Sequence, residues 1–546
     1  MKNIAARIDE MANLYPAKKA VVARAKNGNY EHLTFKELVD LSHNFAFKFK
    51  EMGLKKGDKT LVFVRPGLDF PVITFALFRL GVVPVFIDPG MGRENLFRAI
   101  SNLKPEALIA VPEVHIARLF FRAPFKGIKH FVTTGSLTYG KMKSIKPWKR
   151  NLTSERILSN IDEQDMAAIL FTSGGTGIPK GVVYTHKIFN TQTDTLKELF
   201  SLSEKEVDIP GFPLFAFFTM AMGMTSCIPE MDPSKPAKCD PKKLVQNIND
   251  HQGTFVAGSP AIWERVANYC VDNNLKLQSV KYLVMFGAPV SPELHKKFQK
   301  VLPNGTTYTP YGATESLPVA NVEGHFLLEN TVDKTDQGLG TCVGKVAPNI
   351  EVKIIAITDN VIETIDQANI LSPYELGEII VKGDVVTKEY YQMPKKTAEA
   401  KVYDGESLWH RMGDLGYLDQ EGLLWFCGRK SYRVTTKDEL KSSIQCESIY
   451  NNHKDIHRTA LIGIGNEGEQ RPALVIERKD KRTNLKNIDD SFKKDLIELS
   501  KSYEHTKDIE TFYLADQFPV DVRHNIKIDR LKLRDQAISG KLKEIR

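Results

Sequence analysis

One short stretch constrains the fold of this chain more than any other, because it places hydroxyl groups, glycines and a lysine between two apolar runs. The apolar runs are Met166–Phe171 and Gly181–Tyr184, and the stretch between them is Thr172–Lys180. Both runs are short and rich in strand-forming residues, so the pattern predicts a strand, a loop and a second strand. Backbone N–H groups of a glycine-rich loop can converge on one anion, and Lys180 adds a full positive charge. We therefore interpret the stretch as a polyphosphate-binding loop.

This loop differs from the P-loop motif of many nucleotide-binding enzymes, in which glycine precedes the lysine and Ser or Thr follows it. Here Pro179 precedes Lys180 and Gly181 follows it. A flexible surface turn is the alternative, since six of the eight residues 172–179 are Gly, Ser or Thr. A linker would not require the ending Pro-Lys-Gly, which favours the binding loop.

Composition narrows the class of protein. A length of 546 residues predicts about two to four folding units. The hydrophobic content of 42% and charged content of 26% are typical of soluble globular proteins. Most Lys and Arg residues alternate with Asp and Glu, so the net charge of +8 indicates a solvated surface rather than a nucleic-acid-binding one. The six cysteines lack the paired spacing of zinc sites or disulfide frameworks, which predicts reduced thiols in a cytoplasmic protein.

One segment raises the question of a membrane. Residues Ile209–Pro229 contain no charge and are long enough to cross a bilayer. Three prolines interrupt the segment, so we expect the wall of an apolar pocket rather than a transmembrane helix. Charged residues within the first predicted helix argue against a signal peptide. Peripheral association of the protein with a membrane stays open as an alternative, because an apolar pocket predicts an apolar substrate.

The order of predicted elements indicates an α/β fold. Helix and strand signals alternate over residues 1–110, including a helix at Asp69–Leu80, and predict a parallel sheet covered on both faces. Residues 112–165 are expected to be irregular and basic. The strands Thr254–Ala257 and Tyr282–Phe286 each precede a helix and predict a second doubly wound sheet. Ligands of such sheets bind beyond the carboxyl ends of the strands.

The later part of the chain changes character. Alternating strands and glycine turns over about 335–428 predict a small antiparallel β-barrel. We therefore expect a large N-terminal domain, 1–428, whose two doubly wound sheets span about 1–334 and precede the barrel. A smaller α+β domain would follow at 429–546.

Four further motifs carry chemistry that suits a nucleotide. In Tyr311–Glu315 a tyrosine face can stack on a base and a carboxylate can hold Mg²⁺. The Asp that ends Arg411–Asp414 is expected after a glycine turn, where it can accept hydrogen bonds from ribose hydroxyls. Gly428–Arg429 can reach a ribose or phosphate oxygen. Near the C-terminus, the segment 522–530 places Lys527 between apolar neighbours. Each motif alone is more often structural, but together and in this order they indicate an active site.

These motifs, in this order, resemble those of the adenylate-forming superfamily of acyl-CoA synthetases, peptide-synthetase adenylation domains and luciferases. The resemblance covers nearly the whole chain. It implies that ATP, with Mg²⁺, activates a carboxylic acid as an acyl-adenylate and that pyrophosphate is released. It also implies an active site between a large N-terminal domain and a small, mobile C-terminal domain.

The resemblance also implies roles for individual residues. The implied ATP-binding residues are Thr172, Ser173, Gly174, Gly175, Thr176, Gly177, Lys180, Gly287, Ala288, Tyr311, Gly312, Thr314, Asp414 and Arg429. The implied catalytic residues are Lys527, Glu315 and Thr172, and Glu315 is also the implied ligand of Mg²⁺. The implied substrate pocket contains Phe215, Phe217, Met222 and Gly312.

Within the superfamily, four segments look like those of the β-lactone synthetases of bacterial long-chain olefin biosynthesis: Phe86–Gly92, Pro213–Ala216, Trp409–Asp414 and Phe518–Asn525. Those enzymes activate a 2-alkyl-3-hydroxy fatty acid, whose own hydroxyl then displaces AMP and closes a four-membered lactone. This closer resemblance implies a long-chain acyl substrate. It also makes other enzymes of the same lipid pathway candidate partners.

The sequence departs from the common acyl-CoA synthetase pattern at several positions. Ala216 replaces a histidine, Ser431 replaces Asp or Lys at the hinge, and the loop 435–438 lacks its glycine. Gly175 removes a hydroxyl from the phosphate loop, and Ile526 replaces the glycine before the late lysine. The hinge and its loop serve the thioester-forming step, so their alteration favours lactone closure by a tethered nucleophile.

Three functions stay open at this point. The first is β-lactone synthesis, for which His410 and His524 are candidate bases by residue type alone. The second is a fatty acyl-CoA or acyl-carrier ligase. The third is a non-catalytic nucleotide- or lipid-binding protein.

Overall fold

A computed structural model describes residues 2–25, 27–150, 152–172, 179–479, 490–520 and 527–545, without the side chains of Pro89, Thr172 and Asp490. Its α-helices, in chain order, are α1 (Ala5–Leu14), α2 (Phe35–Glu51), α3 (Asp69–Leu80), α4 (Arg93–Leu103), α5 (Pro112–Phe120), α6 (His186–Leu199), α7 (Phe215–Ala221), α8 (Pro241–His251), α9 (Pro260–Asp272), α10 (Pro292–Val301), α11 (Gly324–Asn330), α12 (Val332–Asp336), α13 (Pro394–Ala400), α14 (Ser443–Asn451), α15 (Asp490–Lys501) and α16 (Arg530–Ile538).

The β-strands, in chain order, are β1 (Lys19–Arg24), β2 (Tyr30–Thr34), β3 (Lys59–Phe63), β4 (Val83–Ile87), β5 (Ala107–Ala110), β6 (His130–Thr133), β7 (Lys143–Ser144), β8 (Met166–Thr172), β9 (Lys180–Thr185), β10 (Val207–Pro210), β11 (Thr225–Ile228), β12 (Phe255–Gly258), β13 (Tyr282–Met285), β14 (Thr306–Ala313), β15 (Ser316–Glu323), β16 (Thr341–Val346), β17 (Ile350–Ile355), β18 (Gly377–Gly383), β19 (Lys401–Asp404), β20 (Ser407–Leu418), β21 (Leu423–Arg429), β22 (Val434–Thr435), β23 (Leu440–Lys441), β24 (Ile456–Ile464), β25 (Arg471–Arg478), β26 (Thr511–Leu514) and β27 (Lys543–Glu544).

The first sheet has the strand order β7-β6-β5-β3-β4-β8-β9 and is parallel except for β9, which runs antiparallel to β8. Its strands are apolar because helices cover the sheet. Helix α3 is buried at every residue after Asp69 and ends where Gly81 adopts a left-handed conformation, with φ of 72°. The predicted helix at 69–80 is therefore confirmed.

The second sheet joins two kinds of strand. Strands β1, β11, β10, β12, β13 and β14 are parallel neighbours, with β2 antiparallel at the edge. Strand β15 then pairs antiparallel with β14 and β16, and the order continues through β21, β20, β18 and β17. The strands expected to form a separate barrel are thus hydrogen-bonded onto the second parallel sheet. The hairpin β1–β2 also belongs to this sheet, although it lies within the first 110 residues.

The C-terminal part forms its own sheet, with the order β24-β25-β26-β27. Helices α14 and α15 contribute to its core through Ile449 and Leu496. Helix α14 also packs against β21 and α12 of the N-terminal part. The molecule is therefore a mixed α/β protein with a large N-terminal part and a smaller C-terminal part. The small hairpin β22–β23 lies between them, just after the boundary proposed at residues 428–429.

Of two further segments, the first differs from its expected structure and the second agrees with the expectation that it does not form a transmembrane helix. Residues 112–165, expected to be irregular, contain α5, β6 and β7, because Pro112 starts a helix and β6 pairs in parallel with β5. Residues 209–229 fold into β10, α7 and β11 instead of one long helix. None of the helices in the described part of the chain combines the length and the apolarity needed to span a membrane.

Candidate active site

The predicted phosphate loop is carried by the antiparallel hairpin of β8 and β9, in which Thr172 pairs with Lys180. Its residues Ser173, Gly174, Gly175, Thr176 and Gly177, and the side chain of Thr172, lie outside the described residues. The ammonium of Lys180 lies 4.8 Å from the centre of the Tyr390 ring. Burial lowers the pKa of Lys180, and the charge of Glu315 opposes that shift. The lysine therefore sits beside both an aromatic face and a carboxylate.

The Tyr311–Glu315 motif lies at a hairpin, because β14 continues to Ala313 before the chain turns into β15. A side chain could not replace the hydrogen of Gly312, since a Cβ there would lie 2.6 Å from the Ser316 carbonyl oxygen. The Thr314 carbonyl accepts a hydrogen bond of 2.6 Å from the Tyr184 hydroxyl. The hairpin is thus tied to β9, the strand that carries Lys180.

Glu315 is held from two directions. Its carboxylate accepts a 2.7 Å hydrogen bond from the Tyr390 hydroxyl. Its backbone carbonyl accepts hydrogen bonds from the Thr387 amide, at 2.9 Å, and from the Thr387 hydroxyl, at 3.1 Å. Burial and the neighbouring carboxylate raise the pKa of Tyr390, so this hydroxyl stays a donor at neutral pH. The arrangement fixes one oxygen of Glu315 and the backbone beneath it.

Tyr311, Asp414 and Arg429 form a second cluster. The Tyr311 hydroxyl donates to Asp414 at 2.6 Å, and Arg429 Nη1 lies 2.9 Å from the other carboxylate oxygen. Burial raises the pKa of Asp414, while Arg429 and the Tyr311 hydroxyl act to lower it. Asp414 lies within the long strand β20 instead of after a turn, although Gly413 before it has a positive φ of 65°. The strand pair β20–β21 sets Asp414 directly opposite Arg429.

Gly287 and Ala288 follow β13, at the carboxyl end of a parallel strand. The residue before them, Phe286, stacks on Phe215 with ring centres 4.4 Å apart. Both phenylalanines line a narrow apolar cavity of about 20 Å³. Its other lining residues are Gln192, Leu196, Phe200, Phe218, Phe255, Ala257, Val284, Pro310, Leu317 and Pro318.

Two residues expected in the substrate pocket, Phe217 and Met222, do not line this cavity. Phe217 faces α3, with ring centres 5.3 Å from Phe70 and 5.5 Å from Phe75. Met222 caps the C-terminal end of α7 and is buried in the same core. Successive residues of a helix point in different directions, so the two face away from the cavity lined by Phe215 and Phe218. Gly312 lies in β14, two residues after the cavity-lining Pro310.

Lys527, expected to act at the reaction centre, is exposed and belongs to the C-terminal part. It precedes Ile528, whose backbone pairs with Val520, and α16 begins three residues later. Arg530 anchors that helix through a 2.5 Å ion pair with Glu447. The structure thus groups the nucleotide-binding candidates on the N-terminal part and puts Lys527 on the other.

Sequence reasoning missed a buried lysine beneath Glu315. The side chain of Lys401 is only 2% exposed, and its ammonium donates to the Thr387 carbonyl. Burial lowers the pKa of Lys401 to about 7. In the sequence, the available signal was that Lys401 stands between two apolar residues, Ala400 and Val402.

His410, a candidate base, is directly opposite Lys401 in the strand pair β19–β20. It is buried, and its Nδ1 lies 3.2 Å from the Ala400 carbonyl oxygen. Burial and the neighbouring cations hold the pKa of His410 well below its usual value, so the ring is neutral near pH 7. His524, the other candidate, lies outside the described residues.

The donor set is compatible with ATP and a magnesium ion. Both Asp414 oxygens can accept further hydrogen bonds, and Glu315 offers a hard oxygen ligand. Among the described residues, no group of three or more His, Cys, Asp or Glu side chains could hold a metal ion. A cation bound beside Glu315 would therefore take most of its ligands from phosphate and water.

Comparisons with known proteins identify several relatives of this chain. An olefin beta-lactone synthetase from Stenotrophomonas maltophilia (strain K279a) is 39% identical, covering 97% of both chains. One from Xanthomonas campestris pv. campestris is 37% identical, covering 97% of this chain and 96% of the relative. A long-chain-fatty-acid–CoA ligase from Thermus thermophilus is 23% identical, covering 85% of this chain and 84% of the ligase.

A solved structure shares the fold. The O-succinylbenzoate coenzyme A synthetase MenE from Bacillus subtilis, in complex with ATP and magnesium ion, superposes with a TM-score of 0.75 at 19% identity, covering 96% of this chain and 99% of that one. The family model described as AMP-binding enzyme matches residues 8–391, more than half of the sequence. This chain therefore belongs to the family of AMP-binding enzymes.

Proposed function

We propose that this protein uses ATP to activate a long-chain 3-hydroxy carboxylic acid as an acyl-adenylate. The substrate's own hydroxyl then attacks the activated carbonyl, giving a β-lactone and AMP. The observation that carries this proposal is the near-full-length similarity to the two olefin beta-lactone synthetases. A fatty acyl-CoA ligase is the second candidate, supported by the weaker similarity to long-chain-fatty-acid–CoA ligases.

The nucleotide would bind across the two clusters of the N-terminal part. The Tyr311 face would stack on adenine, and the Asp414 carboxylate would accept hydrogen bonds from the ribose hydroxyls. Arg429 pairs with Asp414 at 2.9 Å and can reach a ribose or phosphate oxygen. Lys180 and the loop before it would hold the phosphates, with Gly287, Ala288 and Thr314 lining the site. Bound Mg²⁺ would offset phosphate charge beside Glu315.

The first step joins two anions, so charge compensation is its main requirement. An oxygen of the substrate carboxylate attacks the α-phosphorus, and the bond to the pyrophosphate oxygen breaks. The transition state concentrates negative charge where Lys180 and Arg429 supply positive charge. Lys527 would add a third positive charge from the C-terminal part.

The second step needs no further substrate. The 3-hydroxyl oxygen bonds to the acyl carbon, the acyl–phosphate oxygen bond breaks, AMP leaves, and the hydroxyl loses its proton. Because nucleophile and electrophile belong to one molecule, tethering supplies an effective molarity that a separate thiol lacks.

The contacts around the hinge support lactone closure over thioester formation. Lys430 forms a 3.1 Å ion pair with Glu378 and donates to the Thr358 carbonyl at 2.8 Å. Arg433 pairs with Asp359 on one side and with Glu467 on the other. A rotation about the hinge at Ser431 that admits a thiol would have to break the pair of Arg433 with Asp359, whereas lactone closure has no such requirement.

The acyl chain would enter beside α7. The aromatic cavity lined by Phe215 and Phe286 is apolar, but about 20 Å³ has room for about one water molecule and is far too small for an acyl chain. We expect these side chains to move apart when a long chain binds.

Product analysis tests the proposal directly. The purified protein is incubated with ATP, Mg²⁺ and a 2-alkyl-3-hydroxy fatty acid, with and without coenzyme A, and products are identified by NMR and mass spectrometry. We expect equal amounts of β-lactone, AMP and pyrophosphate without coenzyme A. A thioester product with strict dependence on coenzyme A would instead support the ligase, and unconsumed ATP would contradict both.

A further inference from the structure

We propose that helix α5 and the loops beside it form a docking surface for an anionic lipid membrane. We name this region the α5 surface and define it by exposed apolar and basic side chains. The members are Ile116, Leu119, Phe120, Phe121, Leu137, Arg122, Lys126 and Lys129. The inference goes beyond the proposed reaction and does not depend on it.

The apolar side chains of this surface are unusually exposed. Phe120 is 79% exposed, Leu137 73%, Ile116 50%, Leu119 43% and Phe121 40%. Single exposed apolar residues are ordinary, but a contiguous group of them marks an interaction site. Leu137 belongs to the group because the Tyr139 hydroxyl, two residues later, donates to the His115 carbonyl of α5 at 2.8 Å.

The helix is fixed in this orientation by contacts on its inner side. His115 is buried, and its Nε2 lies 2.9 Å from the Val132 carbonyl oxygen of β6. At the end of the helix, the Phe121 ring packs 5.3 Å from Phe97. These contacts fix the inner side of the helix, so residues 116, 119 and 120 face the solvent.

Charge distinguishes this surface from the rest of the molecule. Residues 112–150 contain nine Lys and Arg residues and one acidic residue, Glu113, a net charge of +8. The whole chain also has a net charge of +8, so the remaining residues balance to zero. Glu113 is itself paired with Arg65 at 2.9 Å. The excess positive charge of the protein thus lies in the segment that contains α5, and part of it is neutralised because Lys149 pairs with Asp69.

This combination suits a membrane better than other partners. Exposed apolar side chains of a short helix can enter the boundary between lipid headgroups and acyl chains. Lys and Arg side chains around them attract anionic headgroups. A nucleic acid would engage the cations but leave the leucine and phenylalanine side chains without a role.

Vesicle sedimentation with the full-length protein tests the proposal. Vesicles of neutral phosphatidylcholine are compared with vesicles containing about one third phosphatidylglycerol, at low and high salt. We expect sedimentation with the anionic vesicles only and its loss at high salt. The variant Arg122→Gln/Lys126→Gln should bind about tenfold or more weakly, and Leu119→Ser/Phe120→Ser should bind at least tenfold more weakly.

Matched changes elsewhere serve as controls. Ile538→Ser, 62% exposed on α16, and Lys437→Gln, on the loop after β22, should bind vesicles as the unchanged protein does. All variants should keep their adenylation rate with a short, water-soluble acid, which separates this test from that of the proposed function. Equal binding by the α5 and control variants would overturn the proposal. So would the absence of binding to the anionic vesicles, whether or not the protein binds a DNA oligonucleotide or an acidic protein.

Discussion

Two tyrosine hydroxyls set the geometry of the candidate site at the scale of single residues. Tyr311 donates to Asp414 at 2.6 Å, and Tyr390 donates to Glu315 at 2.7 Å. Each hydroxyl orients a carboxylate that would contact the nucleotide or its metal ion. Hydrogen bonds to charged groups contribute more than neutral ones, so losing either should be measurable.

Removing the Tyr311 hydroxyl tests the first of these contacts. Tyr311→Phe keeps the aromatic face but leaves Asp414 with Arg429 alone. We expect the KM for ATP to rise about tenfold, equivalent to roughly 1.4 kcal/mol, with kcat changed less than threefold. The measurement is ATP–pyrophosphate exchange at varied ATP concentration. An unchanged KM for ATP would show that the hydrogen bond from this hydroxyl to Asp414 does not contribute to ATP binding.

The buried Lys401 makes a second prediction at this scale. Its ammonium supports Thr387, which in turn donates to the backbone of Glu315. Lys401→Met should raise the Mg²⁺ concentration for half-maximal exchange by about five- to tenfold and leave the KM for the acid nearly unchanged. Lys353→Met, in β17 of the same sheet, is the control. Equal responses of the two variants would show that Lys401 has only a structural role.

Several of these side chains were accessible to sequence reasoning and others were not. Tyr311, Asp414 and Arg429 stand in short motifs, and the structure brings them into one cluster. Tyr390 and Lys401 stand in no such motif, because their role depends on pairing with distant strands. Val182 pairs with Tyr390 across more than 200 residues of chain, a contact that local pattern cannot reveal.

At the scale of elements, the helix between β10 and β11 packs one face against the core and lines a cavity with the other. The short helix α7 turns Phe217 towards α3 and the core, and Phe215 and Phe218 towards the narrow cavity. Sequence composition identified the segment as apolar and unsuited to a long helix. It did not separate the two faces, because a helix that is apolar all round carries no periodicity to read.

Acyl-chain selectivity is the prediction for this helix. Phe215→Asp should place a charge in the path of the chain, so a long-chain acid should lose at least thirtyfold in kcat/KM. An acid of about six carbons should lose less than fivefold, since it buries fewer methylene groups. Met222→Leu, on the core side, should change neither. Equal losses for the long and short acids would contradict this position for the acyl pocket.

The buried carboxyl group of Asp208 in β10 should make the stability of the protein depend on pH. The carboxylate is fully buried and accepts hydrogen bonds from Thr219 at 2.6 Å and Ser226 at 3.1 Å. Burial raises the pKa of Asp208 from 3.8 to about 7. The folded state therefore binds the proton more tightly than the unfolded state, and this contribution to stability is lost as pH rises from about 4 through 7.

Removing this titration should flatten the pH dependence of stability. Between pH 5 and pH 8 the unchanged protein should lose roughly 2–3 kcal/mol that Asp208→Asn retains. The measurement is urea unfolding of both proteins at the two pH values. Asp232→Asn, on an exposed loop, should follow the unchanged protein. A parallel loss by Asp208→Asn would show that the buried carboxyl does not titrate in this range.

At the scale of the whole molecule, the proposed reaction needs residues from two parts of the chain. The side chains proposed to bind the nucleotide belong to the large N-terminal part, and Lys527 belongs to the smaller part built on β24–β27. The sequence predicted this division and the mixed α/β class. It did not predict that the antiparallel strands extend the second parallel sheet, because that continuity depends on the long-range pairs of β15 with β14 and β16.

The central claim is that the substrate's carboxylate, and not its hydroxyl, is the group that ATP activates. An acid labelled with ¹⁸O at both carboxylate oxygens tests this in one reaction, with AMP and lactone analysed by mass spectrometry. Attack by the carboxylate predicts one label in AMP and one in the lactone carbonyl. Unlabelled AMP, with both labels kept in the lactone, would mean that the hydroxyl oxygen left with AMP and would contradict the account.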